Sequence, residues 1–171
     1  MSHRFAPDIR TDRLLLRSLR KEDFAPFASV FASERARYMG GKRSREEAWT
    51  MFVADAGQWE ILGFGCWAIE VAETGTSVGE VGLNRPIHFS ENELGWVLWD
   101  GCEGHGYATE AARAARDFAF RELGWTTIVS YISAANTASR RVAERLGAVI
   151  DAAPAKPDDD PTVVYRHSPA V

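Results

Sequence analysis

Hydrophobic and polar positions along the chain change several times between strand-like and helix-like spacing. Short apolar or β-branched runs predict six strands, over 13–17, 66–71, 78–83, 93–99, 126–132 and 162–167. Apolar residues at helical spacing predict four helices, opening at 21–23 and at 44 and extending over 106–123 and 136–146. Strands dominate the middle of the chain, and helices flank them. An α/β protein with a mixed sheet covered by helices is therefore expected.

Turn and cap signals delimit these elements. Ser44 and Glu47 have capping-box spacing at the start of the second helix, and Gly147 ends the last helix. The turn at 73–76 predicts a hairpin, and the acidic, proline-rich segment 154–161 predicts a loop. Buried stripes are expected in the second helix at Ala48, Met51, Phe52 and Ala56, and in the third at Ala108, Ala111, Ala112, Ala115, Phe118 and Ala119.

Composition narrows the class of protein. With 171 residues, 46% of them hydrophobic, a single domain over 1–171 is expected to build a core without a structural metal. Cys66 and Cys102 are too few for a disulfide framework or a four-ligand zinc site. A net charge of -4 argues against a nucleic-acid partner. No apolar run approaches the roughly 20 residues that span a bilayer, and residues 1–5 lack an apolar signal region, so we expect a cytoplasmic protein with no membrane partner.

A glycine-rich turn between the fourth strand and the third helix is the first candidate for chemistry. Gly101, Gly104 and Gly106 fall just where that helix begins. Free amides and the positive dipole end at a helix start bind anions, and glycine lets a phosphate approach the backbone. The spacing matches neither an ATP P-loop nor a Rossmann turn. Two interpretations of this turn remain open: a pyrophosphate site, or a tight turn that needs glycine for its geometry alone.

Three motifs in order carry a family resemblance: 93–96 (ELGW), 104–111 (GHGYATEA) and 136–147 (NTASRRVAERLG). Together with the first strand at 11–17 and the last at 163–166, the chain resembles the GNAT N-acetyltransferase superfamily, in particular its RimJ/RimL-like branch. This resemblance implies a mostly antiparallel sheet whose fourth and fifth strands splay to hold acetyl-CoA. It also implies acetyl transfer to a primary amine, either a protein N-terminus or a small molecule.

The resemblance also assigns coenzyme-binding positions. The pyrophosphate motif falls on 103–108, and the coenzyme site is expected at Trp96, Val97, Leu98, Gly104, His105, Gly106, Tyr107, Ala108, Thr109, Asn136, Ser139 and Arg140. Glu103 stands where the family usually has Gln or Arg, which places an acid beside a pyrophosphate. Ala143 stands where many members carry a proton-donating Tyr. Asn136 has a second reading as a helix N-cap, and the two roles can coexist.

Candidate catalytic residues follow from the chemistry of direct transfer. The amine must lose a proton, and Glu93 or Glu80 could accept it, although either could instead be a strand carboxylate facing solvent. Ser139 or a water would replace the missing Tyr as proton donor. Cys102 has no evident base beside it, so an acetyl-cysteine intermediate is not expected. His88 is expected to be an exposed loop residue, with a place in an acceptor channel as the alternative.

The acceptor pocket is the least defined part of the sequence. The basic stretch 35–45 is either a solvated surface or a site for a carboxylate-bearing acceptor. Trp59, Phe64 and Trp67 are expected in the core rather than the pocket. A non-catalytic acyl-CoA-binding module is the alternative to an enzyme, suggested by Glu103 and Ala143. The expected partners are acetyl-CoA and an amine, with no metal and with a possible homodimer.

Overall fold

The computed structural model describes residues 5–152 and 162–169. Within these residues the strands are β1 (Ile9–Arg10), β2 (Leu14–Arg17), β3 (Cys66–Val71), β4 (Thr76–Asn84), β5 (Glu93–Leu98), β6 (Ile128–Ser133), β7 (Val149–Ile150) and β8 (Thr162–His167). The α-helices are α1 (Phe24–Ala32), α2 (Arg45–Leu62), α3 (Tyr107–Arg121) and α4 (Thr137–Arg145). Short 3-10 helices cover Lys21–Asp23 and Glu34–Tyr38.

The strands form one sheet in the order β1-β2-β3-β4-β5-β6-β8-β7. Every neighbouring pair of described strands is antiparallel except β5 and β6, which are parallel. The predicted mixed, mostly antiparallel α/β fold is therefore confirmed. β1 and β7 were not predicted, because two residues are too few to show a period. The predicted loop at 154–161 lies outside the described residues.

Helices cover both faces of the sheet. The alanine face of α3 packs on the side that carries Val81, Leu83, Leu94 and Leu98. The opposite side carries Val97, against which the aromatic cluster of α1 and α2 packs. In β5 the side chains of Glu93, Gly95 and Val97 share this second side by the two-residue period. The fold thus places the face with the candidate carboxylates under α1 and α2.

The predicted N-terminal cap of the second helix is present, but not all of its predicted buried residues are buried. The Ser44 hydroxyl accepts the Glu47 N–H at 3.2 Å, and the Glu47 carboxylate accepts the Ser44 N–H at 2.7 Å, which confirms the capping box. Ala48 and Phe52 are buried. Ala56 is exposed, so its predicted burial was wrong; Trp59, one turn further on, is buried instead.

The two parallel strands β5 and β6 meet at one end and then separate. Glu93 pairs with Val129, and the Val129 N–H donates to the Asn92 carbonyl at 3.0 Å. The Ser130 hydroxyl donates to the Leu94 carbonyl at 2.6 Å. No pair of described residues continues the β5–β6 ladder beyond this point, and a cavity opens between the strands. The splayed pair expected from the family resemblance is therefore present.

Candidate active site

The larger of two adjoining cavities runs along β5 to the start of α3 and has a volume of about 510 Å³. Most of the residues predicted to bind coenzyme line this cleft: Trp96, Val97, Leu98, Gly104, Gly106, Tyr107, Ala108, Thr109, Asn136 and Ser139. Its wall facing β5 is formed by α4, and the 3-10 segment Glu34–Tyr38 closes the side. The structure therefore brings the motif at 136–147 against the two motifs at 93–96 and 104–111.

The start of α3 has the geometry of an anion site. Gly106 is the N-cap residue with φ +80°, makes no side-chain cap, and leaves the first amides of the helix without intrahelical acceptors. Gly104 has φ +86°, and a Cβ there would meet no described atom within 4 Å. Both glycines adopt a left-handed conformation that other residues enter only with strain. Because neither position carries a side chain, an anion could approach the backbone amides at this helix start.

The side chains of two predicted coenzyme residues contact other groups, although the prediction for His105 concerned its backbone amide. The His105 ring stacks on the Tyr107 ring at 5.3 Å, and its backbone carbonyl accepts from Arg13 at 3.0 Å. The Arg140 guanidinium donates to the Tyr165 hydroxyl at 3.1 Å and to the Ala134 carbonyl at 3.3 Å. Neither His105 nor Arg140 is among the described residues that line the cleft. The cations that α4 contributes to the cleft are instead Arg141 and Arg145, which sequence reasoning missed.

An ion pair offsets the unusual acid in the phosphate motif. Arg35 Nη2 lies 2.9 Å from Glu103 Oε1 and donates to the Leu98 carbonyl at 2.9 Å, and Arg35 Nη1 contacts Asp100 at 2.6 Å. Other cations of the basic stretch also have local partners: Lys42 pairs with Glu34, and Arg37 lies over the Tyr38 ring. Arg35 and Arg37 line the coenzyme cleft rather than the acceptor cavity. The structure therefore favours the solvated surface over a carboxylate site, the other of the two alternatives for this stretch.

α4 begins at the junction of the two cavities. The Asn136 side-chain oxygen accepts the Ser139 N–H at 3.2 Å, so Asn136 is the N-cap of α4. The smaller cavity, of about 280 Å³, extends from this junction toward α1 and α2. Six residues line both cavities: Tyr38, Met39, Trp96, Val97, Asn136 and Ser139. Tyr38 is a second hydroxyl at the junction that sequence reasoning did not single out.

The smaller cavity contains three carboxylates: Asp55 from α2, Glu80 from β4 and Glu93 from β5. Asn84 Nδ2 donates to Glu93 Oε2 at 3.4 Å. Gln58 Nε2 donates to both Asn84 Oδ1 and Asp55 Oδ1, each at 3.2 Å. These contacts connect Asp55 to Glu93 through two amide side chains. Neither Glu80 nor Glu93 is the solvent-facing strand carboxylate that the alternative reading required.

Burial controls the ionisation of these acids. It raises the pKa of Glu93 to about 7, with a smaller raising effect from Asp55 and an opposing hydrogen bond from Asn84. It raises the pKa of Glu80 well above its usual range, and Asp55 adds to that shift. The pKa of Asp55 is raised by the same cause. A carboxyl group with a pKa near neutrality is suited to proton transfer at physiological pH.

The two cysteines differ in surroundings. Cys66 is 2% exposed, and its Sγ donates to Asn84 Oδ1 at 3.4 Å. Burial and the nearby Asp55 raise the pKa of its thiol. Asp55, Cys66 and Glu80 offer ligand atoms within 4.8 Å of one another, so this group of described residues could hold a metal ion. Burial followed by Glu103 raises the pKa of Cys102, which disfavours its thiolate.

The remaining candidates lie outside the two cavities. His88 is exposed and packs edge-on against Phe89. Trp59 and Trp67 are buried, with their rings in edge-to-face contact at 4.7 Å, and Phe64 packs on the same core.

None of the helices in the described part of the chain has the length and apolar character of a membrane span.

Comparison with known proteins identifies the class to which this fold and cleft belong, that of acetyltransferases. Residues 13–149 match the family described as the acetyltransferase (GNAT) domain, and the chain belongs to this family. It is 31% identical over 144 residues to YkkB of Bacillus subtilis, covering 80% of this chain and 82% of that protein. An acetyltransferase from Agrobacterium tumefaciens has a TM-score of 0.89 at 42% identity, covering 96% of this chain and 95% of that one.

A more distant structure shares the fold. RimL, a ribosomal L7/L12 alpha-N-protein acetyltransferase solved in complex with coenzyme A, has a TM-score of 0.72 at 17% identity. The match covers 95% of this chain and 98% of that one. The family and the general activity, acetyl transfer, are thus established by the sequence match, and the RimL likeness concerns the fold.

Proposed function

We propose that this protein is an acetyl-CoA-dependent N-acetyltransferase that transfers the acetyl group directly to a primary amine. One observation carries the proposal: a cleft that contains the free amides at the start of α3 opens into a cavity with three carboxylates, and six residues line both. An acyl donor in the first cavity would therefore meet an amine in the second. Holding two reactants in this way can contribute roughly 7–11 kcal/mol to lowering the barrier.

The coenzyme would extend from the start of α3 to the β5–β6 gap. Amides at Gly106, Tyr107, Ala108 and Thr109 would hold the pyrophosphate, with Arg141 and Arg145 as nearby cations. The Trp99 N–H donates to the Val78 carbonyl, so alternate residues of β5 pair with β4. The backbone groups of Trp96 therefore face the gap, where they are available to the pantetheine arm or to the thioester oxygen.

Glu93 is the proposed base. Its pKa of about 7 makes the carboxylate abundant at neutral pH while leaving it basic enough to accept a proton. A proton passes from the ammonium to Glu93, directly or through water. The nitrogen then bonds to the acetyl carbon as the carbon–sulfur bond breaks. The second proton that the nitrogen loses replaces the proton that a hydroxyl donor gives to the departing thiolate. Glu80 is the second candidate, and burial raises its pKa well above the usual range as well.

The departing thiolate needs a proton, and Ala143 cannot supply one. Ala143 is fully buried beneath Tyr165 and Ile132. Ser139 and Tyr38 are the hydroxyls that line both cavities among the described residues. The Tyr38 hydroxyl accepts from Arg37 Nη2 at 2.9 Å, which orients it. We assign the proton donor to one of these two residues.

The amine is proposed to be a protein N-terminus or a small molecule. The sequence motifs and the RimL fold likeness support a place in the RimJ/RimL-like branch. Dependence on acetyl-CoA also implies a cytoplasmic location. The single-domain organisation and the possible homodimer remain predictions of the sequence.

Thiol release from acetyl-CoA tests the proposal directly. Purified protein is mixed with acetyl-CoA and separate amines, namely peptides, polyamines, amino acids and aminoglycosides, and free thiol is measured. Amine-dependent release supports the enzyme. Tight coenzyme binding without release by any amine would instead support the acyl-CoA-binding module, the alternative that Ala143 suggests.

A further inference from the structure

The floor of the smaller cavity is built from small residues on three neighbouring strands. Cys66 on β3 pairs with Gly82 on β4, and Gly82 pairs with Gly95 on β5. A Cβ at Gly82 would overlap Cys66 Sγ, so a side chain cannot be accommodated there. Gly82 thus makes room for the Cys66 side chain, whereas at Gly95 the nearest atom to a Cβ would be Asn84 Nδ2 at 3.4 Å.

Acidic side chains surround this floor. Asp55 reaches it from α2, and Glu80 and Glu93 come from the two central strands. Glu80 is only 6% exposed, and its Oε2 has no hydrogen-bond partner among the described residues. A buried carboxylate oxygen without a donor costs free energy. A ligand that brings a donor or a positive charge would remove that cost.

The ionisable groups facing the floor are mostly acids. No Arg, Lys or His is among the described residues that line the smaller cavity. Besides the three carboxylates and the Cys66 thiol, the phenols of Tyr38 and Tyr131 line the cavity. Asp23, which pairs with Arg17 at 2.8 Å, also acts on Glu80. Arg85 lines a separate cavity on the other side of Asp55 and donates to Phe89 and Asn92. A carboxylate placed on the floor would meet acids and no lining cation.

The wall opposite the acids is apolar and aromatic. Phe27 and Phe31 from α1, with Tyr38 and Met39 from the following segment, line this side. Such a surface fits a hydrocarbon or aromatic substituent. The cavity lining therefore combines acidic groups, which attract a cation, with apolar side chains.

We propose that the acceptor is a cationic amine without a carboxylate beside its amino group, and that Asp55 and Glu80 select it. This inference rests on the N-acetyltransferase function proposed above. The ammonium lies in the smaller cavity, where it donates to Glu80 Oε2 and is attracted by Asp55. An α-amino acid is disfavoured because its carboxylate would lie within reach of the same acids, in a site that screens charge poorly.

Three compounds of similar shape separate charge from size: 2-phenylethylamine, L-phenylalanine and L-phenylalaninamide. Binding to protein saturated with coenzyme A is measured by calorimetry, and turnover with acetyl-CoA by thiol release. EDTA is present throughout because Asp55, Cys66 and Glu80 could also hold a metal. The amine and the amide are expected to bind at least tenfold more tightly than the amino acid. A tripeptide amide and 1,4-diaminobutane show whether the carboxylate-free amine is a peptide terminus or a small molecule.

One variant and its matched control test the role of Asp55. Asp55→Asn keeps the acceptor atom for Gln58 but removes the charge, and is expected to reduce the amine-to-amino-acid affinity ratio at least fivefold. Glu60→Gln, at an exposed carboxylate on the same helix, should leave the ratio unchanged.

Each outcome decides one of the two proposals. Equal or tighter binding of L-phenylalanine overturns the inference and points to Arg85 as a carboxylate partner. It is also overturned by an unchanged ratio in Asp55→Asn or by the absence of binding for every carboxylate-free amine. Selective binding without thiol release leaves the selection intact but contradicts the proposed transferase function.

Discussion

Arg35 Nη2 lies 2.9 Å from Glu103 Oε1, across the entrance of the coenzyme cleft. Glu103 occupies the phosphate-motif position at which the family usually has a neutral or basic residue. Arg35 therefore supplies from the segment after α1 a positive charge that the motif itself lacks. Since both side chains are partly solvated, the pair adds little to folding stability. Its expected effect is on the electrostatic potential at the start of α3, where the pyrophosphate would bind.

This pair predicts an asymmetric effect on coenzyme affinity. Arg35→Ala leaves Glu103 unpaired beside the pyrophosphate and should weaken coenzyme A binding by roughly tenfold, equivalent to about 1.4 kcal/mol. Glu103→Gln alone should bind as tightly as wild type or more tightly. In the double variant, the loss caused by Arg35→Ala should shrink. Calorimetric titrations of all four proteins measure the coupling, and strictly additive effects would contradict it.

Gly104 and Gly101 provide a matched test of the phosphate site. Their φ angles are +86° and +80°, and a Cβ at either would meet no described atom within 4 Å. Alanine at each position should therefore cost a similar amount of backbone strain, roughly 1–2 kcal/mol. Only Gly104 lines the coenzyme cleft. Gly104→Ala should weaken coenzyme A at least tenfold while Gly101→Ala does not; equal affinities in the two variants would show that the turn is purely geometric.

The assignment of Glu93 as base predicts a specific pH profile. Because burial raises its pKa to about 7, kcat/KM should fall as the pH drops below that value. Glu93→Gln should lose roughly 10²–10⁴-fold in turnover at neutral pH. The loss should become smaller at high pH, where free amine is abundant. A Glu80→Gln variant with the larger loss would transfer the role to Glu80, and wild-type rates in both would leave a water chain as the base.

The raised pKa of Glu80 has a consequence for stability. The folded state binds the Glu80 proton more tightly than the unfolded state does, so the free energy of unfolding falls as pH rises above the ordinary glutamate range. Glu80→Gln removes this contribution. The melting temperature of the variant relative to wild type should therefore increase from pH 5 to pH 8.5. Exposed Glu60→Gln serves as the control and should show no such trend.

Direct transfer predicts that Cys102 is dispensable. Burial and Glu103 raise the pKa of its thiol, so little thiolate is available to attack a thioester. Cys102→Ala should retain most of its turnover, and initial-rate plots against the two substrates should intersect. An acetyl adduct on Cys102, detected by intact mass after mixing with acetyl-CoA and removed by amine, would establish a ping-pong mechanism instead.

Local pattern was sufficient for most of the secondary structure. The alanine spacing of α3 and the capping box at Ser44 depend on residues within a turn or two, so their periodicity and hydrogen bonds are readable in the sequence. The failures also have local reasons. β1 and β7 are held by their neighbours in the sheet and have no period of their own. Ala56 has the helical spacing of a buried residue, but Trp59 fills the contact with the sheet.

The sequence by itself determined the fold class, the glycine turn at the start of α3 and the candidates Glu80 and Glu93. Only the tertiary structure decided what those residues do together. Asp55 was not predicted, because a single acid in a helical sequence is usually solvated. Its place in the cavity arises only from the packing of α2 over the sheet. The ion pair between Arg35 and Glu103 was not predicted either, because the two residues are distant in the chain. Burial and long-range pairing set the pKa values and the acidic character of the cavity lining. Neither can be read from the spacing of neighbouring residues.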